Sequence, residues 1–405
     1  MPGPTAHSAD ASKDNTPILR IPGVARLLAV VILGIASFSI LLPLSPEWAI
    51  ARGSSEAAAG SVTTVLMAFT VIAQFAMNRA IREFGWTKVL ALGLVALGAP
   101  ATLQVLSSNV AAILISSAFR GVGFGILTVG GATAIALLFP VERRGAAVGT
   151  YGLAVASPQL LFVSSAPVLD LHFGSLAMTL IATLPLLGLL LVRPLGRSIS
   201  QRAASESTSI DSTPSLQVST LRLIAPTLSV LLIVTSCGGA LLTFASQIAV
   251  DATSAAIALL CMTGFATPTR WIFGVLSDRR STVSMIFGLC IVLVFGMATL
   301  SYSLLDGHSP AAQPLLFLGS TLLGVAYGGL QSTSLVHAFR VGGAARLTRV
   351  SVLWNVSFDL GTGVGALVAG SLATAGGFSF AFTCLTIMST LGAAAAIRAL
   401  IAKRP

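Results

Sequence analysis

Charged residues are scarce in this chain, at 9% of 405 residues, whereas hydrophobic residues make up 55%. A soluble domain carries about 25% charged residues, so the shortage argues against a large soluble helical protein. Nearly uncharged runs of roughly 18 to 25 residues recur along the chain, and that length is enough to cross a hydrocarbon core of about 30 Å. Because lipid offers the backbone no hydrogen-bond partner, we predict that these runs are membrane-spanning α-helices.

Cysteines are few, and the motifs of most enzyme classes are missing. The four cysteines, Cys237, Cys261, Cys290 and Cys384, lie in apolar runs without metal-ligand spacing, so we expect packing residues rather than metal ligands or disulfides. The sequence contains no Gly-x-x-x-x-Gly-Lys, no nucleophile elbow and no His/Glu metal motif. We therefore expect a protein that is not an enzyme and uses no cofactor or metal. Active transport would have to draw on an ion gradient.

The apolar runs predict an all-α membrane protein with twelve spans. Their approximate bounds are 24–50, 57–80, 87–107, 110–139, 145–169, 174–194, 222–247, 254–276, 283–304, 313–339, 348–374 and 378–400.

The cations indicate the orientation of these spans. Nearly all of the 23 Lys and Arg residues lie at the termini or at alternate joins between spans, on one side. Only Arg52 falls on the other side, and only Arg120 is expected deep inside a span. The positive-inside rule then places both termini in the cytoplasm of a multi-pass plasma-membrane protein. The net charge of +10 reflects this bias, so we expect no nucleic-acid partner.

A Ser/Thr-rich polar segment divides the chain into two halves that echo each other. Gly121-Val-Gly-Phe-Gly in the first half matches Gly324-Val-Ala-Tyr-Gly in the second. Two pseudo-symmetric six-helix bundles around a midplane site are a transporter architecture. The predicted organisation is a cytoplasmic N-terminal tail at 1–22, a first bundle at 23–196, a flexible cytoplasmic linker at 197–220 and a second bundle at 221–402.

One loop carries a family resemblance. Gly274-Val-Leu-Ser-Asp278-Arg279, between two membrane-length runs, resembles the G-x-L-a-D-R loop signature of the major facilitator superfamily. The first-half copy, residues 78–85, reverses the Asp-Arg order to Arg82-Glu83. The resemblance implies twelve helices in two halves that rock about a central cavity.

Other stretches extend this resemblance and indicate a branch. Leu42-Pro-Leu-Ser-Pro46 looks like the Pro-x-x-Pro segment of drug/proton antiporters, and Arg120-Gly-Val-Gly resembles the superfamily's embedded Arg followed by Gly-x-Gly. Ser157-Pro-Gln159 departs from the G-P-x-x-G-G of antiporters, which weakens antiport. The resemblance implies proton-coupled export of a small organic molecule. The alternatives are an importer or facilitator of a metabolite on the same fold and, more remotely, a non-transporting membrane sensor. We expect a monomer whose partners are its substrate, protons and the lipid bilayer.

Two ionisable residues inside spans are the candidates for proton coupling. Intramembrane charge is a hypothesis of function, and Arg120 and Asp359 both lie far from a span end. The structural alternatives are an Arg bonded to carbonyls of span one or five, and an Asp that bridges helices. Ser351, Asn355 and Asp359 recur at helical spacing, which predicts a polar stripe facing a cavity. Glu47 is expected to be solvated at the outer end of span one.

Two further groups complete the predicted site. Asp278 is expected to rest against the start of span five and latch the cytoplasmic face. This latch comprises Gly274, Asp278, Arg279, Arg143 and Arg144. Polar residues within spans are the predicted lining of the substrate cavity: Gln74, Tyr151, Gln159, Thr243, Gln247, Tyr327, Gln331 and Asn355.

Overall fold

The computed structural model describes residues 21–107, 109–139, 144–205, 218–277, 279–305, 310–343 and 346–402. Nine helices in these ranges are long and apolar enough to cross a membrane, and three of them exceed 50 residues. Each of the three contains a glycine with positive φ and extended ψ: Gly85 (76°, 162°), Gly174 (76°, 166°) and Gly377 (82°, 171°). Only glycine adopts this backbone region readily, so each long helix is two rods joined at a sharp turn.

The described residues therefore form twelve spans, in agreement with the prediction. They are α1 Val24–Ala51, α2 56–84, α3 86–106, α4 Val110–Leu138, α5 144–173, α6 175–205, α7 Val218–Ile248, α8 Ala252–Ser277, α9 Thr282–Ser303, α10 Ala312–Gly342, α11 347–376 and α12 378–402. A 3-10 segment, Ala99–Thr102, interrupts α3, and another, Leu184–Gly188, interrupts α6. A π turn, Gln159–Val163, follows Pro158 within α5.

Glycines let equivalent helices of the two halves approach closely. A Cβ at Gly121 of α4 would lie 2.2 Å from the Leu66 carbonyl oxygen of α2. A Cβ at Gly324 of α10 would likewise lie 2.3 Å from the Met262 carbonyl oxygen of α8. The two glycine-rich stretches that echo each other in the sequence thus make the same kind of backbone contact, which accounts for the repeat.

Among the described residues, the main helix pairs that join the two halves are α2 with α11, α1 with α7, and α5 with α8. We call the side of the α1–α2 turn the far side and the side of the α6–α7 connection the linker side. Contacts near the far side include the Ala57 N–H, which donates to Thr374 Oγ1 at 3.0 Å, and the Thr63 and Thr243 hydroxyls, 3.1 Å apart. The hydrogen bonds described between the halves lie on the far side and at mid-depth, so these contacts hold the far side closed.

The expected linker boundaries are wrong at both ends. The sequence placed a flexible segment at 197–220, but α6 stays helical to Ser205 and α7 begins at Val218. Ser198 donates to the Pro194 carbonyl one turn earlier, as it does inside a regular helix. Residues 206–217 and the N-terminal tail up to residue 20 lie outside the described ranges.

Gly60 of α2 offers a test of the far-side closure. A Cβ at Gly60 would lie 2.3 Å from the Ala366 carbonyl oxygen of α11, so Gly60→Val should push α2 away from α11. We expect a longer distance between nitroxides at Ala51→Cys and Val250→Cys, measured by electron–electron resonance after replacement of the native cysteines.

Gly288→Val is the matched control, because a Cβ at Gly288 meets no atom within 4 Å. It should leave the distance as in the parent protein. A folded Gly60→Val variant with an unchanged distance would show that this contact does not hold the far side closed.

Candidate functional site

Asp359 lies at mid-depth and contacts the opposite half. Its carboxylate is 5% exposed, and its Oδ2 accepts a 2.7 Å hydrogen bond from Gln74 Nε2. Gln74 belongs to α2 and Asp359 to α11, so this bond joins the two halves. The amide oxygen of Gln74, Oε1, is buried and has no hydrogen-bond partner. The pair can therefore accept one further proton.

Arg120 is fully buried within the first half. Its Nη2 donates to the Ser37 carbonyl of α1 at 3.1 Å, while Nε and Nη1 have no partner. The rings of Phe38 and Phe124 stack nearby, with centroids 3.8 Å apart. No hydrogen bond or ion pair among described residues joins Arg120 to Asp359. The two candidates for coupling thus occupy separate places in this conformation, and Arg120 makes the contact expected of a structural arginine.

The polar stripe on α11 is less uniform than its spacing suggests. Asn355 Nδ2 donates to the Ser351 carbonyl at 2.8 Å, a bond within the helix. Only Asp359, of these three residues, has a hydrogen bond to the other half.

The remaining cavity candidates lie in different surroundings. Thr243 bonds Thr63 across the halves, whereas the Tyr151 hydroxyl donates to the Thr128 carbonyl at 3.2 Å inside the first half. Tyr327 packs edge-on against Phe358, with centroids 6.0 Å apart. The others are Gln331, which is buried, Gln247, whose buried Oε1 has no partner, and Gln159, which is half-buried in the π turn of α5.

Most side chains of the predicted latch lie outside the described part of the chain. Asp278 and Arg143 lie outside the described residues, as does the side chain of Arg144 at the start of α5. Gly274 approaches Ser332 of α10, and Arg279 is exposed. One contact at this loop was not foreseen: Arg340 Nη2 donates to the Ser277 carbonyl at 2.6 Å and ties the end of α8 to α10.

The reversed first-half loop forms its own ion pair. Arg79 Nε and Glu83 Oε1 are 2.7 Å apart, one helical turn from each other on an exposed surface. Because the pair is exposed to solvent, it contributes little to stability.

The expectation that Glu47 is solvated is wrong. Its Oε2 accepts a 2.8 Å hydrogen bond from Ser246 Oγ of α7, across the halves on the far side. Beside it, Trp48 Nε1 donates to Asp170 Oδ2 of α5 at 2.8 Å. A polar group that must be desolvated when helices pack needs a partner, and Ser246 supplies it.

Arg270 is one of the cations near the α8–α9 join, and it lies about two helical turns before Ser277, the last residue of α8. Its side chain is nonetheless exposed.

Two six-helix halves that pack against each other and share a polar contact at mid-depth have the architecture of a membrane carrier. The sequence comparison agrees, since residues 27–312 match the family model described as Major Facilitator Superfamily. The chain belongs to that superfamily. No curated protein matches the chain in sequence.

Solved structures of transporters share the fold at low sequence identity. The structure of the nucleoside transporter NupG covers 95% of this chain and 100% of its own, with a TM-score of 0.75 and 12% identity. An inward-facing, unoccupied bacterial homologue of the human lysosomal transporter Spinster covers 95% and 98%, with a TM-score of 0.73 and 14% identity. A POT family transporter in complex with 5-aminolevulinic acid covers 92% and 95%, with a TM-score of 0.68 and 15% identity.

Arg120 provides a stability test of the first half. Exchanging a buried, poorly paired charge for an apolar side chain of similar volume is often neutral or stabilising by about 1–4 kcal/mol. We expect Arg120→Met to unfold at the same or a higher temperature than the parent. Arg120→Ala should unfold at a lower temperature, because it leaves a cavity worth about 2–5 kcal/mol. If Arg120→Met and Arg120→Ala lower the unfolding temperature equally, the hydrogen bond from Arg120 to Ser37 is what stabilises the first half.

Proposed function

We propose that the protein is a secondary active transporter of a small organic molecule, driven by protons and working by alternating access of its two halves. The observation that carries the proposal is the hydrogen bond between Gln74 and Asp359, which crosses the halves at mid-depth. A carboxyl group in this place can link its own protonation to the movement of one half against the other.

The chemistry of this pair gives the sign of the linkage. A charged Asp359 accepts one hydrogen bond from Gln74 Nε2 and leaves Gln74 Oε1 without a partner. A protonated Asp359 can donate to that oxygen as well, so that acid and amide exchange two hydrogen bonds. One added hydrogen bond contributes about 0.5–1.5 kcal/mol, or roughly two- to tenfold in the population of the joined state. Protonation therefore favours closure of the far side.

This linkage supports a transport cycle. A proton that reaches Asp359 from the far side neutralises the carboxyl and draws α2 and α11 together. With the linker side open, the proton leaves on that side and the contact weakens. By the charge bias of the sequence, we propose that the linker side is cytoplasmic and the membrane is the plasma membrane. Proton entry would then drive the cycle.

We propose export as the direction, from the resemblance to the drug/proton antiporter branch. Import or facilitated passage of a metabolite on the same fold is the alternative. The solved structures similar to this chain include a nucleoside transporter and a POT family transporter holding 5-aminolevulinic acid. These examples support a small organic substrate.

Asp359→Asn tests the coupling without knowledge of the substrate. Asn resembles the protonated acid in shape and can donate to Gln74, so the variant should keep the far side closed at any pH. We expect the distance between nitroxides at Ala51→Cys and Val250→Cys to lengthen in the parent protein when mildly acidic buffer is exchanged for mildly alkaline buffer. In the Asp359→Asn background, the distance should stay short in both buffers.

The matched control is Asp251→Asn, in the turn between α7 and α8. The Ser254 N–H donates to the Asp251 carboxylate at 2.7 Å and lowers the pKa of that group, so it stays charged over the same range. Asn also serves as a helix N-cap, and this variant should respond to pH like the parent. A parent-like pH response in Asp359→Asn would place the coupling elsewhere.

A further inference from the structure

The depth of Arg270 places its guanidinium near the middle of the protein. The Cα lies about 10 Å inside the linker-side end of α8. Side chains of a helix lean toward its N-terminus, and for α8 that direction leads toward the centre. Tyr327 of α10 lies close enough to both Arg270 and Asp359 for their charges to act on its hydroxyl group, with opposite signs. The three groups therefore belong to one region.

Arg270 lies on the face of α8 turned toward the space between the halves. The neighbouring face packs on α10, where a Cβ at Gly328 would lie 2.0 Å from the Ala266 carbonyl oxygen. Thr263, seven residues before Arg270 and so on the same face, contacts Ser164 of α5 across the halves, with hydroxyl oxygens 3.0 Å apart. The exposed side chain of Arg270 therefore lies on the face of α8 that is turned toward the first half.

The backbone of Arg270 is fixed, whereas its charge has no counterion. Ser332 Oγ donates to the Arg270 carbonyl at 2.5 Å and joins α8 to α10 at this level. Among the described residues, no hydrogen bond or ion pair reaches the guanidinium, and the carboxylate of Asp359 is bonded to Gln74. A lone cation is tolerated while water fills an open cavity. It is expensive once the cavity closes, because water is then excluded.

Tyr327, which lies near Arg270, is part of a group of packed aromatic side chains. Phe358 of α11 packs edge-on against Tyr327 and stacks on Trp354, with centroids 5.8 Å apart and planes 23° from parallel. Trp354 Nε1 donates to Ser334 Oγ at 3.0 Å, which holds the indole in place. Phe358 is half-buried, so part of its apolar ring surface is accessible. A cation next to an aromatic surface suits a ligand with one anionic end and one flat apolar end.

We propose that Arg270 is the anion-binding residue of the central cavity and that the substrate is an organic acid whose carboxylate lies beside an aromatic or other planar apolar group. A guanidinium can hold a carboxylate through two parallel hydrogen bonds. The bound anion supplies the counterion that allows the cavity to close. This inference rests on the proposed function to the extent that the central cavity is the transport site.

The test compares acids with their own amides on the purified full-length protein. The probes are benzoate, phenylacetate and indole-3-acetate, each paired with the neutral primary amide of the same acid, and affinity is measured by ligand-induced thermal shift and by tryptophan fluorescence. We expect the parent to bind at least one acid about tenfold or more tightly than its amide. Arg270→Gln should abolish this preference, while leaving the weaker affinity for the amide unchanged.

Two more variants separate charge recognition from general damage. Arg270→Lys keeps the charge but loses the paired hydrogen bonds, so its preference for the acid should be intermediate. Arg398→Gln removes an exposed cation of α12 in the same half and should bind as the parent does. Each variant is first shown to be monodisperse and to unfold cooperatively.

The outcomes also distinguish this inference from the proposed function. Acids that bind no better than amides, or an acid preference that survives in Arg270→Gln, would overturn the role of Arg270. The pH response of the far side in the Asp359 experiment would still stand in that case. Conversely, acid binding that depends on Arg270 together with a pH response that survives in Asp359→Asn would uphold the anion site and reject coupling at Asp359.

Discussion

The absence of water inside a membrane governs this structure, because each polar group has to find its partner within the protein. Hydroxyl side chains within spans bond to a carbonyl one turn earlier, as Thr362 does to Phe358. Thr70 reaches the Leu66 carbonyl of its own helix and the Gly121 carbonyl of the next. Such residues keep the helices intact and at the same time join them, so that the few groups left without partners are conspicuous.

The sequence predicted the spans well because the lipid core requires apolar runs of a fixed length, and the cations lie at the ends of those runs. It predicted the breaks at Gly85 and Gly377 to within a few residues, since polar residues and glycines punctuate the apolar runs there. It could not predict that Gln74 meets Asp359, because 285 residues separate them and nothing local specifies the pairing. The prediction that Glu47 is solvated was wrong for the same reason, because its partner, Ser246, lies 199 residues away. Long-range contacts depend on how the two halves dock, which periodicity does not encode.

The two arginines within spans, Arg120 and Arg270, show that depth in the membrane alone does not identify a functional charge. Arg120 is the deeper in sequence terms, yet it bonds to the Ser37 carbonyl inside one half. Arg270 is near a span end by sequence, yet it lies on the face of α8 turned toward the first half, and no described residue forms an ion pair with it. The useful distinction is which face of the helix carries the charge. For Arg270 a sequence signal existed, since Thr263 and Arg270 share a helix face, but without the position of α5 that face could not be recognised as the inner one.

The two proposals together bear on the direction of coupling. A carboxylate held by Arg270 would place negative charge in the region of Asp359, since both residues interact with Tyr327. Negative charge favours the protonated form of a neighbouring carboxyl group, and by reciprocity a proton on Asp359 strengthens binding of the anion. Substrate and proton would then travel together, which is symport and favours the importer.

In an antiporter the substrate must instead displace the proton. A substrate that bonds to Gln74 in place of Asp359 would displace it. The electrostatics of an anionic substrate therefore weigh against the direction implied by the antiporter resemblance. The pH dependence of the affinity for the acid distinguishes symport from antiport. In symport the affinity falls as the pH rises, whereas in antiport the affinity increases as the pH rises.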